Sequence, residues 1–182
     1  MFIWIALDAS KELKEIRQIC KKENASLLLN EVTFLLPLHI SLKISFKINN
    51  IEYKKIIKTI KKYMLNHNSI TLTNPKIELF NSILWITYDH NETLEKIHND
   101  LDNILKEEFN IPQHMFDKKF MFHSSLFIDE NIDKLIQMYN KIKDVSLPDS
   151  ITINDFIIGS SPSGENGTYI VNEVISLAKK PD

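Results

Sequence analysis

Two strings in this chain share one pattern, His39-Ile40-Ser41-Leu42 and His123-Ser124-Ser125-Leu126, and each lies in an apolar run of strand-like composition. Strand side chains alternate between faces, so residues i and i+2 project to the same side. His39 and Ser41 therefore share a face, with Ile40 and Leu42 on the other, and His123 and Ser125 repeat the arrangement. Ser124 falls on the opposite face and reads as structural. A matched pair of imidazole-plus-hydroxyl units suits acid–base chemistry on a phosphate ester. One histidine takes a proton from a nucleophile, the other protonates the leaving oxygen, and the hydroxyls hold the phosphoryl oxygens between them.

Periodicity around these strings predicts a strand near 2–8 and a helix near 10–23, capped by Ser10, with Leu13, Ile16 and Cys20 inward. An extended region near 32–48 carries the first motif and is interrupted at Pro37. Asn49 to Glu52 is a variant capping box that opens a helix reaching about Leu65. Strands near 69–80 and 83–89 meet at Asn81-Ser82, and Asn91 caps a helix near 92–108. The second motif lies in a strand near 118–128, followed by a helix near 131–143 and strands near 151–159 and 168–177. The unit of motif strand, helix and two strands thus occurs twice, eighty-four residues apart, with little identity between the copies beyond the motif. Two such units about an approximate twofold would bring the motif strands together. No linker-like composition divides them, so residues 1–182 read as a single bilobal α+β domain.

Composition narrows the partners. No apolar stretch approaches the ~20 residues that span a bilayer, and a single cysteine, Cys20, allows no internal disulfide and fits a reducing cytoplasm. A net charge of −2 argues against a grip on long duplexes and favours a nucleotide or an RNA end. Arg17 is the only arginine, so phosphate has to be met by lysine. Lys43 follows Ser41 by two residues and shares its face; a solvated edge lysine is the other reading. Lys119 joins the face of His123 if that strand extends so far. Phe127 holds the place beside Ser125, where core packing is the stronger reading and stacking on a base the other. Phe2, Trp4 and Trp85 read as core or lobe-interface residues. His67, His90, His98 and His114 share no ligand spacing, so neither a metal nor another cofactor is expected. The segment from Gly159 to Gly167 lacks the lysine of a phosphate-binding P-loop and reads as a loop between the last two strands.

The paired motifs resemble the His-x-Ser/Thr signature of the 2H phosphoesterase superfamily, in particular its 2′-5′ RNA ligase-like and RNA 2′,3′-cyclic phosphodiesterase branch. Phe2-Ile-Trp-Ile-Ala-Leu-Asp8 is similar to that family's opening strand. Phe80-Asn-Ser-Ile-Leu-Trp-Ile86 is similar to its mid-chain element, and Gly167-Thr-Tyr-Ile-Val, running on to Ile175-Ser-Leu177, to its closing strand. The resemblance implies two pseudo-symmetric antiparallel sheets lining a central cleft, with helices outside. It implies catalysis by His39 and His123 and phosphate binding by Ser41 and Ser125. Tyr169 matches an aromatic that approaches the cleft in the family; sheet packing is its alternative. Where the family often places a basic residue after the second motif, this chain has Phe127-Ile128-Asp129. The implied activity is metal-independent hydrolysis of a 2′,3′-cyclic phosphate on an RNA or (oligo)nucleotide end by a cytoplasmic monomer without membrane contact. The alternatives are 2′-5′ RNA ligation through the same residues and a non-catalytic module that binds RNA ends. His39 is preferred as acid and His123 as base, the near symmetry leaving both assignments open.

Overall fold

Both motif strands lie at the edges of sheets. The computed structural model describes residues 1–177, apart from the side chains of Phe116 and Lys119. In chain order its elements are β1 (Phe2–Asp8), α1 (Lys14–Leu27), β2 (His39–Lys47), α2 (Tyr53–Met64), β3 (Ile70–Thr73) and β4 (Lys76–Phe80). They continue with β5 (Ile83–Thr87), α3 (Glu92–Phe109), β6 (His123–Ile128), α4 (Ile132–Ile142), β7 (Ser150–Ile153), β8 (Asp155–Ser161) and β9 (Ile170–Ser176). Short 3-10 turns at Val32–Leu35 and Met115–Lys119 precede the two motif strands. A four-stranded sheet has the order β2-β1-β8-β9, a three-stranded sheet the order β4-β5-β6, and β3 pairs with β7. Every pairing is antiparallel. The edge strands β2 and β6 run close to each other without being hydrogen-bonded partners, so the two sheets abut along the strands that carry the motifs.

The repeat includes the strand and helix before each motif as well as the elements after it. Strand, helix, motif strand, helix and two strands occur first as β1-α1-β2-α2-β3-β4 and then as β5-α3-β6-α4-β7-β8. The halves exchange their last strands: β8 pairs with β1 of the first half, and β4 with β5 of the second. The β3–β7 pair ties the halves a third time. One apolar cluster accordingly draws on both sheets and all four helices, among them Ile5, Cys20, Ile60, Leu84, Leu101, Leu126 and Leu135. The other face of the four-stranded sheet carries a small separate cluster of Trp4, Ala6 and Ile157, edged by Leu36, Tyr169 and Val171.

Several predicted boundaries move for identifiable reasons. Helix α1 begins at Lys14 and runs to Leu27, without a side-chain cap; among the described residues the Ser10 hydroxyl donates to the Leu38 carbonyl and accepts from no helix amide. Asn49 bonds the Ile51 amide ahead of α2 and leaves that helix to begin at Tyr53. Asn91 and Asn131 do cap α3 and α4, each accepting from the amide three residues on. The extended region near 32–48 splits into a 3-10 turn and β2. The region near 69–80 breaks at Asn74, which has φ +54°, into strands of different sheets. The region near 151–159 breaks likewise at Asn154, between β7 and β8. In α4, Ile132 and Ile136 are exposed and Met138 takes the inward place.

Candidate active site

A β-bulge follows the serine in each motif. In β2, Ala6 pairs with Ser41 and the next partner, Ile5, pairs with Lys43. In β6, Trp85 pairs with Ser125 and the next partner, Leu84, pairs with Phe127. The leucine that ends each motif is thus an extra residue, and a bulge resets which face the following side chains occupy. Before it, His39 and Ser41, like His123 and Ser125, are partly exposed on one face while Ile40 and Ser124 are buried on the other. After it, Lys43 and Phe127 turn inward and are buried.

That reset corrects one sequence expectation, for Lys43, and decides the reading of Phe127 in favour of core packing over base stacking. Lys43 borders the site cavity, but its ammonium is buried, 2.6 Å from Asp102 of α3 and paired also with Asp117, and is not offered on the face of His39 and Ser41. Phe127 packs edge-to-face on Phe34, with ring centroids 5.1 Å apart, inside the core, where it offers no surface to a base. Lys119 belongs to the 3-10 turn ahead of β6, which starts only at His123, and its side chain lies outside the described residues. His98, Asp102 and Asp117 bring potential metal-ligating atoms within 4.8 Å of one another. Lys43 already pairs with both carboxylates, and the His98 ring nitrogens face the carbonyls of Leu42 and Asp117. This cluster reads as an internal ion pair that ties β2 to α3 and to the approach of β6.

The two motif histidines are held alike. The Nδ1 of His39 bonds the Pro37 carbonyl at 2.8 Å, and the Nδ1 of His123 bonds the Met121 carbonyl at 2.8 Å. A carbonyl can only accept, so each Nδ1 carries the proton and each Nε2 is the nitrogen left for proton exchange. Burial pushes both histidines below the ordinary imidazole value. For His39, the nearby charges of His123 and Arg17 push the same way, against the Pro37 bond and Asp8. Among the described residues, neither the Ser41 nor the Ser125 hydroxyl has a hydrogen-bond partner, so both are available to a ligand.

A cavity of about 280 Å³ opens beside these groups, lined by His39, Ser41, Ser125, Thr33, Tyr169 and the backbone turn at Asn166-Gly167. Tyr169 stands where the resemblance placed it. Its hydroxyl shares a 2.6 Å bond with Ser45 and donates to the Gly164 carbonyl at 3.2 Å. The loop it closes is folded around the Ser161 hydroxyl, which accepts from the amides of Ser163 and Gly164. Gly164 and Gly167 both need positive φ, +82° and +85°, which glycine adopts at little cost. On the opposite rim, Arg17 donates to the carbonyls of Phe34 and Leu36 and so fixes the turn leading into β2. Thr33 ties the same turn to the Leu126 carbonyl of β6 at 2.6 Å.

Two residues read from sequence as core or lobe-interface positions are buried and also border the motif histidines. Trp4 lies against His39, with ring centroids 4.6 Å apart and planes inclined at 47°. Trp85 lies against His123 at 4.4 Å and 48°. Their signal was a second internal repeat, Ile3-Trp4-Ile5-x-x-Asp8 against Leu84-Trp85-Ile86-x-x-Asp89, on the corresponding strands β1 and β5.

Solved structures share this architecture. E. coli LigT complexed with 3′-AMP aligns at a TM-score of 0.61 and 15% identity over 97% of this chain and 98% of that one. TT0787 of Thermus thermophilus aligns at 0.61 and 16% over 100% of both. Usb1 of Kluyveromyces marxianus aligns at 0.50 and 13% over 97% of both. No protein-family model and no curated protein matches the sequence. The likeness is one of fold over the full length, and on that ground this chain has the α+β fold of the LigT-like 2H phosphoesterases.

Proposed function

We propose that this chain is a phosphodiesterase that opens a 2′,3′-cyclic phosphate on a nucleotide or RNA end by two-histidine acid–base catalysis. The observation that carries the reading is the duplicated His-x-Ser unit on two abutting edge strands, with both imidazoles anchored through Nδ1. In the proposed step, the neutral Nε2 of one histidine takes a proton from water as its oxygen bonds to phosphorus. The bond from phosphorus to one ribose oxygen breaks, and that oxygen receives the Nε2 proton of the other, protonated histidine. The product is a phosphomonoester beside a free hydroxyl, and the pair has exchanged protonation states. Ser41 and Ser125 donate to the two non-bridging oxygens, where negative charge gathers in the transition state. With the Lys43 ammonium buried against Asp102 and Asp117, hydroxyls, the imidazolium and backbone dipoles are left to balance the phosphate. The folds of LigT and Usb1 support the class of chemistry, and the LigT structures with 3′-AMP and with ATP support a nucleotide as its object.

The test is turnover of a 2′,3′-cyclic mononucleotide in excess chelator, followed by phosphorus NMR. The expected result is conversion to a single phosphomonoester at an undiminished rate. Binding without turnover, or turnover that chelation removes and a divalent ion restores, would contradict the proposal.

A further inference from the structure

We propose that Trp4 and Trp85 are a matched pair of positioning residues, each indole holding one motif imidazole so that its Nε2 faces the cleft. The inference rests on the two-histidine reading above and adds to it the groups that fix the rings. A histidine anchored only through Nδ1 can still swing about that hydrogen bond. A flat ring at 4.4–4.6 Å, inclined by nearly the same angle on both sides, removes that freedom.

Three further observations separate this role from ordinary core packing. First, the halves of the chain share little beyond His-x-Ser-Leu and the Ile/Leu-Trp-Ile-x-x-Asp pattern, and these two patterns meet at the site. The contact is reproduced although the strand registers differ. Trp4 stands four residues from Asp8, the partner of His39, whereas Trp85 stands two from Thr87, the partner of His123.

Second, both indole N–H groups are buried without a hydrogen-bond partner among the described residues. Buried tryptophans usually find one. The N–H therefore serves no bond at either position, and what both positions use is the flat aromatic ring.

Third, room is made for Trp4 at the expense of a side chain. Gly159 is its partner on β8, and a Cβ there would lie 2.0 Å from the Trp4 Nε1. On the other side Phe80 stacks parallel to Trp85, at 5.4 Å and 6°, so that indole is clamped between Phe80 and His123. The tryptophans also withdraw the imidazoles from water, in keeping with burial as the main cause of their lowered proton affinity.

The protein carries its own reporter, because Trp4 and Trp85 are its only tryptophans. Imidazolium in contact with an excited indole quenches it more strongly than neutral imidazole does. In Trp85→Phe, the remaining Trp4 emission should fall in one step between about pH 8 and pH 5, the range in which histidine protonates. Adding His39→Gln should remove that step. Trp4→Phe should report His123 through Trp85 in the same way. A step that survives loss of the facing histidine, or no step at all, overturns the pairing.

The positioning role is read from Trp4→Leu and Trp85→Leu. Each should lower kcat about 10- to 100-fold, the scale of a misplaced reacting group, with KM little changed. Each should also move one limb of the pH–rate profile toward the ordinary imidazole value. The phenylalanine variants should recover most of the rate. Folded leucine variants with unchanged kcat and pH profile overturn the role while leaving the two-histidine reading intact. If a leucine variant does not fold, the corresponding methionine variant, which also lacks a flat ring, decides, an unmoved kcat and pH profile in the folded protein counting against the role. If the unmodified chain turns over no phosphoester, the earlier reading fails, and the emission titration alone then judges the pairing.

Discussion

An imidazole with Nδ1 tied to a carbonyl and one face against an indole has only Nε2 left to exchange a proton. Both motif histidines are held in this way, and both are pushed below the ordinary value by burial. A lowered pKa leaves each ring neutral at pH 7, so the base is ready there and the acid is not. The working state, one ring neutral and the other protonated, is populated on the acidic side of about pH 6.5. The pH profile of kcat/KM, which reports the free enzyme, should therefore be a bell with its maximum below that value. Bound phosphate favours imidazolium, so the kcat profile should lie at higher pH than that of kcat/KM. A kcat/KM maximum above pH 7 would contradict the lowered proton affinity of the two rings. The His-x-Ser units were legible because a period of two survives any tertiary context. The tryptophans were not, because an indole in an apolar strand carries no local mark that separates core from site.

At the scale of elements, the bulges decide what the motif strands present. The run His-Ile-Ser-Leu-Lys alternates as though unbroken, and only pairing with β1, a strand more than thirty residues earlier, inserts the extra leucine. Local pattern cannot report that, which is why Lys43 was predicted on the wrong face. Its burial between Asp102 and Asp117 changes the expected mutant. Lys43→Met should destabilise the fold by about 3–5 kcal/mol, the cost of leaving a buried charge unpaired. KM for the nucleotide should change little in the fraction that folds. Thermal melting and steady-state kinetics on the same preparation check this, and a large rise in KM without loss of stability would return Lys43 to the site. The cap at Asn91, directly before a periodic helix, was legible, whereas Asn131 was read as part of its helix and caps it instead. Capping signals misled at Ser10 and Asn49, where nearby turns use the same polar groups.

For the whole molecule, the twofold was visible in the spacing of the motifs, but the exchange of β4 and β8 between halves was not. Strand partners separated by more than 150 residues, such as Ala6 and Ile157, leave no local trace. The exchange has a functional consequence, because it locks together the sheets whose edges carry His39 and His123, so that neither half can present its motif alone. No described helix is long and apolar enough to cross a membrane. If the duplicated motifs form one acid–base unit, the most direct measurement is kcat/KM on a 2′,3′-cyclic mononucleotide for His39→Ala, His123→Ala and the double variant, beside their melting temperatures. Each single change should cost about 10²–10⁴-fold, the usual contribution of a positioned acid or base. The double variant should fall well short of the product of the two losses, and the melting temperatures should stay close to that of the unmodified chain. Near-normal turnover in either single variant, losses that multiply in the double, or unfolding of both would contradict it.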